Sequence, residues 1–282
     1  MDICKTIDET RETIRKLKTE GKRIALVPTM GALHPGHLSL IRLGRRYADH
    51  VVVSIFVNPA QFGPNEDFDT YPRELEEDIK KCRKAEVSLV FAPDKDEIYD
   101  DESFFTIRIN RMNEQMCGAS RPGFFEGVML IVNKLFNIIT PDVAVFGQKD
   151  IQQFQMISRM IEEFNHDIEL VMGSIHRAND GLALSSRNAY LSSEERTTAP
   201  GLYRALQYIE KQIKSGVHKT TLLIDHQKSE LEAKGFKIDY INLFSLKTLQ
   251  LAGTLQHNQK YILAGAVWLG KTRLIDNILI EL

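Results

Sequence analysis

The sequence has three cysteines, a single tryptophan, no long apolar run and no excess of charge of either sign. Cys4, Cys82 and Cys117 make an odd number, and no two stand at CxxC spacing. This argues against a disulfide framework or a structural zinc site and fits a reducing, cytoplasmic compartment. The opening MDICKTIDETRETIRKLKTEGKR is charged throughout and lacks the apolar core of a secretory signal. The aliphatic stretches, such as 51–57, are strand-sized rather than membrane-spanning, so no membrane partner is expected. Lys and Arg number 36 against 38 Asp and Glu, a net charge of −2. A general nucleic-acid binder would carry a broad positive field, so no nucleic acid is expected either.

What is present is an ordinary globular composition, 282 residues with 43% hydrophobic and 26% charged side chains. That length serves one large domain or two modest ones. Residues 6–20 predict a helix: Thr6 and Glu9 match a capping box, Ile7, Ile14 and Leu17 mark one face, and Gly21 stops it. Short apolar strands are expected at 24–27, 51–57, 88–91 and 143–146. Between them, helices are expected at 37–47, after Pro72 with Leu75, Ile79 and Cys82 facing in, at 128–139 and at 151–164. The alternation predicts an α/β fold, a Rossmann-like doubly wound parallel sheet. After residue 173 come two polar amphipathic helices, 194–214 and 220–234, then extended segments at 238–244, 261–269 and 274–280. Helices followed by strands predict a second, smaller α+β domain. The expected division is 1–175 and 176–282.

Candidate chemistry gathers at the expected strand ends. After strand 24–27 comes Pro28-Thr29-Met30-Gly31-Ala32-Leu33-His34-Pro35-Gly36-His37, where two histidines flank Pro-Gly as a helix begins. A helix N-terminus beyond a strand end offers N–H groups and a positive dipole end to phosphate, and imidazoles there stabilise developing charge. The competing reading is a loop whose histidines only cap and pack. After strand 51–57, Asn58 and Gln61 are amides that both donate and accept, suited to hydroxyls and a carbonyl; an Asx turn is the plain alternative. After strand 143–146, Gly147-Gln148-Lys149-Asp150 opens a helix, with Lys149 able to meet phosphate and Gln153 one turn on. Asp180-Gly181 turns the chain before Leu184-Ser185-Ser186-Arg187, hydroxyls and a guanidinium that suit phosphate or merely a linker.

Taken together, PTMGALHPGH, FVNPAQF, YPR, RPGFFEGV, FGQKDIQQ and DGLALSSRN resemble the pantoate–β-alanine ligases (pantothenate synthetases), in order from residue 28 to 188. The HIGH-type motif is His34–His37, and Leu184–Arg187 is similar to a KMSKS loop. The resemblance implies a two-step ligation forming pantothenate. Pantoate's carboxylate attacks ATP to give pantoyl adenylate and pyrophosphate, and β-alanine's amine then displaces AMP. It implies that Met30, Gly31, Ala32, Leu33, His34, Pro35, Gly36 and His37 line the ATP phosphates, with His34 and His37 catalytic and His37 a proton donor. It places pantoate on Gln61 and Gln153, with Asn58 beside them, and makes Lys149 and Arg187 catalytic. Gly147, Gln148, Lys149 and Asp150 are expected on ATP, with His176 offering its backbone to adenine and Leu184, Ser185, Ser186 and Arg187 closing over phosphate. Mg²⁺ is expected to bridge phosphate oxygens, with Asp78 and Glu77 in reach directly or through water. The first domain would bind ATP and pantoate, the second would act as a lid, and the chain would be a cytoplasmic homodimer.

Three positions depart from the family pattern: Phe124 replaces a common His, Gln148 a frequent Glu, and His176 a small aliphatic residue. Other readings are a nucleotidyltransferase acting on a phosphorylated small molecule, a class I tRNA synthetase, or a nucleotide sensor with a degenerate site. The first leaves Gln61 and Gln153 without a task. The second needs a tRNA-binding surface that a charge of −2 does not supply. Intact His34, His37, Lys149 and Arg187 count against the third.

Overall fold

A computed structural model describes every residue except Asn65, Ser103 and His218. In chain order the elements are β1 (Asp2–Cys4), α1 (Ile7–Thr19), β2 (Ile24–Thr29), α2 (Pro35–Gly44), β3 (His50–Ile55), α3 (Leu75–Lys84), β4 (Leu89–Phe91), α4 (Lys95–Ile98), α5 (Met116–Ser120), α6 (Phe124–Ile139), β5 (Val143–Gly147), α7 (Ile151–Glu163) and β6 (Glu169–Gly173). There follow α8 (Ser193–Thr198), α9 (Gly201–Lys214), α10 (Thr220–Glu232), β7 (Lys237–Ser245), β8 (Lys260–Leu269) and β9 (Thr272–Glu281). Single 3-10 turns lie at Pro59–Gln61, Gln148–Asp150 and Ser186–Tyr190.

The chain divides into two units. The first comprises 1–110, 121–147 and 156–174. The second begins at Ile175 and also takes in 111–120 and 148–155, which strand–helix alternation alone assigns to the first half.

In the first unit six strands pair in the order β1-β4-β3-β2-β5-β6, all parallel. Ala25, Val27, Val51, Val53, Val90, Val143 and Val145 point to one face, where they pack with Ile41 of α2 and Cys82 of α3. Their neighbours Leu26, Val52 and Ala144 face the opposite side and are equally buried. This is why the strands read as unbroken apolar runs. The chain moves from β2 outward to β3 and β4, then returns to β5 on the other side of β2. That reversal opens a crevice at the carboxyl ends of β2 and β5, where such sheets bind ligands. Burial pushes the Cys82 thiol up to about 12, so it stays protonated at neutral pH.

Several boundaries differ from the sequence expectations for local reasons. Helix α1 has the expected capping box, Thr6 with Glu9. Helix α2 starts at Pro35 rather than 37, since proline is pre-set for the first helical position, and it ends at Gly44. Helix α6 starts after the left-handed Gly123, four residues ahead of the expected 128. The expected helix 194–214 is two helices, α8 and α9, with Pro200 between them. Proline cannot supply the interior N–H that a continuous helix needs. Strands β1 and β6 were not expected. One has three residues and the other opens on exposed Glu169, so neither shows a strong apolar period.

The second unit matches the α+β expectation. Strands β7, β8 and β9 form an antiparallel sheet, with a register shift between Ile238 and Tyr240. Leu202, Leu206, Ile209 and Ile213 make the apolar stripe of α9 and pack on Ile241, Leu263, Val267 and Leu274. Among the described residues no helix is long and apolar enough to cross a membrane.

Candidate active site

The predicted residues fall into two clusters, one in each unit. In the first unit, β2 runs out at Thr29, and its hydroxyl accepts from the Gly31 N–H at 3.2 Å while donating to the Ser54 carbonyl at 2.8 Å. Gly31 and Ala32 then take left-handed φ values of 83° and 49°. A Cβ at Gly31 would come within 3.0 Å of Asp78 Oδ2 and 3.2 Å of Ile55, so glycine is required there on two counts. The Leu33 N–H donates to Asp78 Oδ1 at 2.7 Å, which anchors the far side of the loop.

Helix α2 is capped by the two histidines themselves. The Gly36 N–H donates to His34 Nδ1 at 3.1 Å, and the His34 N–H donates to His37 Nδ1 at 3.3 Å. This is a capping box built from imidazoles instead of Ser and Glu. Because both Nδ1 atoms accept, each neutral ring carries its proton on Nε2. The rings lie 4.1 Å apart between centroids, tilted by 32°. Capping and chemistry, set out above as competing readings, are thus compatible. The cap uses Nδ1 and fixes the ring tautomer with Nε2–H as the donor.

Gln61 ends the 3-10 turn that follows β3 and is 8% exposed. Asn58 Nδ2 donates to Gln61 Oε1 at 3.0 Å and to the Gly127 carbonyl at 3.1 Å. Asn58 Oδ1 accepts from the Tyr99 hydroxyl at 2.7 Å and the Ala60 N–H at 3.3 Å. Both amide protons and both lone pairs of Asn58 are therefore used inside the protein. Expected beside Gln61 on substrate, Asn58 instead holds Gln61 in place. Burial keeps the Tyr99 phenol well above its usual range, so it remains a donor. Gln61 Oε1 takes the Asn58 amide and Nε2 donates to Met30 Sδ at 3.0 Å, so the orientation of the Gln61 amide is set, with one N–H and one oxygen lone pair left over.

A close approach of α6 completes this corner. A Cβ at Gly127 would lie 2.0 Å from the Ala60 carbonyl oxygen. Gly127→Ala is expected to destabilise the protein by about 1–3 kcal/mol through overpacking. It should also lower activity, since the added Cβ would displace the Ala60–Gln61 turn. Urea denaturation alongside steady-state kinetics checks both, and an unchanged midpoint would contradict the packing. Arg121 clamps the same turn from another side: it donates to Glu66 at 2.6 and 2.5 Å and to the Gln61 carbonyl at 3.4 Å. Phe124 covers that guanidinium at 3.5 Å, which gives this side chain a packing task.

Asp78 and Glu77, expected in reach of Mg²⁺ directly or through water, stand in different surroundings. Asp78 is fully buried, and its Oδ1 serves the Leu33 amide with Lys81 at 3.5 Å. Its Oδ2 has no hydrogen-bond partner but is closed in against Gly31. Glu77 is exposed and paired with Lys80 at 2.6 Å. No group of three or more metal-ligating side chains occurs among the described residues.

Gly147 closes β5 in the first unit, and the next predicted residues belong to the second. Lys149 is half-buried, with its ammonium 3.8 Å from the exposed Asp150 carboxylate. Gln153 is half-buried on the first turn of α7, beside Gln152, which is 3% exposed. Gln152 donates to the Met112 and Gln115 carbonyls and so ties segment 111–120 to 148–155. His176 is exposed, and its carbonyl accepts from the Leu184 N–H at 2.9 Å, closing a hairpin across 176–184. Ser185 caps the 3-10 turn of Ser186 and Arg187 through the Arg187 N–H at 3.3 Å.

Sequence reasoning missed Tyr99, Arg121 and the true place of Asp78. Arg121 stands in a quoted motif, but a lone tyrosine after a short helix leaves no periodic trace.

Comparison with known proteins places the chain in a family. The model of the pantoate-beta-alanine ligases matches residues 2–279. A pantothenate synthetase of a Thermoanaerobacter species is 46% identical over 280 residues, covering 99% of this chain and 98% of the relative. One from Pseudomonas savastanoi pv. phaseolicola is 44% identical over 282 residues, covering 99% and 98%. The crystal structure of pantothenate synthetase from Thermus thermophilus superimposes with a TM-score of 0.91 at 38% identity, over 99% of both chains. The Francisella tularensis pantoate-beta-alanine ligase, solved in complex with beta-gamma ATP and beta-alanine, gives a TM-score of 0.82 at 33% identity over 99% and 97%. With two imidazoles set at a helix start beyond a strand end, and relatives that match along its whole length, the chain belongs to the pantoate–β-alanine ligase family.

Proposed function

We propose that the chain condenses pantoate with β-alanine at the expense of ATP, through a pantoyl adenylate, with the residue roles that follow. The reciprocal cap of His34 and His37 is the observation that carries this reading. A carboxylate is a poor acyl donor until its oxygen becomes part of a leaving group, and adenylation achieves that. One pantoate carboxylate oxygen bonds to the α-phosphorus as the bond to pyrophosphate breaks. The β-alanine amine then bonds to the acyl carbon, AMP leaves with the C–O electron pair, and the amine loses a proton. No protein nucleophile is required, so positioning and charge stabilisation do the catalysis.

His34 and His37 meet phosphate oxygens with their Nε2–H donors, at the positive end of α2. His37 holds the proton to be given. Gln61 donates from Nε2 to a pantoate oxygen, and Gln153 holds pantoate as well. Lys149 and Arg187 neutralise phosphate charge, Asp150 meets the ribose, and the hairpin 176–184 presents its backbone to adenine. Mg²⁺ enters with ATP as part of the substrate. The reading brings with it a lid role for the C-terminal domain and a cytoplasmic homodimer.

AMP release should need ATP, pantoate and β-alanine together. Release with a phosphorylated acceptor in place of pantoate would favour a plain nucleotidyltransferase.

Gln61→Ala is expected to raise the pantoate KM, with about 1–3 kcal/mol lost when its partner is left unpaired. ATP affinity should hold. Gln61→Glu should be worse than alanine, because an acceptor replaces the donor that faces pantoate. Calorimetry with each ligand decides, and a glutamate variant that binds pantoate normally would contradict the donor assignment.

A further inference from the structure

The turn that carries Lys149 is held by a residue far away in sequence. Asn277 on β9 is 2% exposed. Its Nδ2 donates to the Gln148 carbonyl at 3.0 Å and the Lys149 carbonyl at 3.0 Å. Its Oδ1 accepts from Gln148 Nε2 at 3.2 Å. The amide orientation is therefore determined, with both protons spent on the two carbonyls of the turn. The Lys149 ammonium stands a loose 3.8 Å from the Asp150 carboxylate and within electrostatic reach of Asp276, so the backbone of its turn largely sets where it stands.

The adjoining residue reaches a second loop. Successive side chains on a strand point to opposite sides, which lets neighbours address separate segments. Asp276 is 5% exposed and takes a fork from Arg177 at 2.5 and 2.8 Å, while its Oδ1 also accepts the Asn277 N–H at 2.8 Å. Arg177 lies 3.5 Å over the Tyr203 ring, donates to the Gly181 carbonyl at 3.0 Å and pairs across the hairpin with Ala183. Leu184–Arg187 follows directly. A continuous run of hydrogen bonds thus joins the Ser-Ser-Arg hairpin to the Lys149 turn, wholly inside the C-terminal unit.

We propose that Asn277 is a positioning residue for Lys149, and that the Asp276–Asn277 pair sets the lysine in fixed register with the Ser185–Arg187 loop. The proposal rests on the reading of Lys149 as a phosphate ligand. It also gives Gln148 a purpose here: its amide donates to Asn277 Oδ1, which an ionised glutamate in its place could not do.

The test is a double-mutant cycle on the full-length protein, with ATP dissociation constants from calorimetry. Lys149→Ala is expected to weaken ATP binding by roughly tenfold or more, as loss of a charge-assisted contact implies. Asn277→Ala should weaken it by about fivefold, and the double variant should be no weaker than Lys149→Ala alone. Asn277→Asp should be worse than alanine, because an isosteric acceptor would face two carbonyls. A residue that only filled space would tolerate the aspartate. If Asn277→Ala does not fold, Gln148→Ala removes only the Oδ1 partner, and its smaller effect should likewise vanish in the Lys149→Ala background. Multiplying factors, or normal ATP binding by Asn277→Ala, would overturn the proposal. Normal binding by Lys149→Ala would instead overturn the phosphate role on which it stands.

Discussion

His37→Ala is expected to slow pantoyl-adenylate formation by roughly 10²–10³, the usual loss when one donor to developing charge is removed. The geometry separates this from a folding effect. His37 Nδ1 is an acceptor for the His34 N–H, and His34 Nδ1 for the Gly36 N–H, so each ring also caps α2. Alanine at position 34 removes a cap worth about 1 kcal/mol as well as the donor. Asparagine restores the cap, since it is among the preferred N-cap residues, but cannot place an N–H where imidazole Nε2 reaches. His34→Asn should therefore recover thermal stability without recovering rate. Stopped-flow or quenched measurement of pyrophosphate release from the folded variants checks both parts. Near-normal release by His37→Ala would remove the histidines from the chemistry.

Lys149→Ala should bring pantoate-dependent exchange of pyrophosphate into ATP below detection. The departing phosphates would lose a charge-assisted partner, and no second lysine stands in the turn 148–150. Lys149→Arg keeps the charge but replaces a compact ammonium by a planar fork, so partial exchange is expected. The fold should hold in both, because the Lys149 carbonyl, rather than its side chain, is what Asn277 grips. Exchange at the wild-type rate in the alanine variant would show that the ammonium does not meet the reacting phosphates.

The parts of this protein that the sequence discloses are those with a local cause. The α1 capping box at Thr6 and Glu9, the β-branched core of β3 and the amphipathic α9 all depend on residues near one another in the chain. So does the loop of Gly31 to His37, whose glycine, proline and histidines announce a turn and a helix start. What stayed hidden depends on partners distant in sequence. Asn58 reads as a ligand residue until Tyr99 and Gly127 are seen to take up its amide, 41 and 69 residues away. The structural task of Asp78 shows only once it is found buried under the Leu33 amide, 45 residues away. Asn277 gives no sign in the sequence, since an asparagine in a strand is unremarkable until it meets the carbonyls of a turn 129 residues earlier. Pro200 was legible in kind, yet the amphipathic period across 194–214 obscured it.

The central claim is that the carboxylate is activated first and the amine comes second. Labelled pyrophosphate should exchange into ATP when the purified protein is given pantoate and Mg²⁺ without β-alanine. It should not exchange with β-alanine in place of pantoate. Exchange under the first condition alone is the result that a discrete pantoyl adenylate predicts. A requirement for both substrates would contradict that order and with it the division of roles set out here.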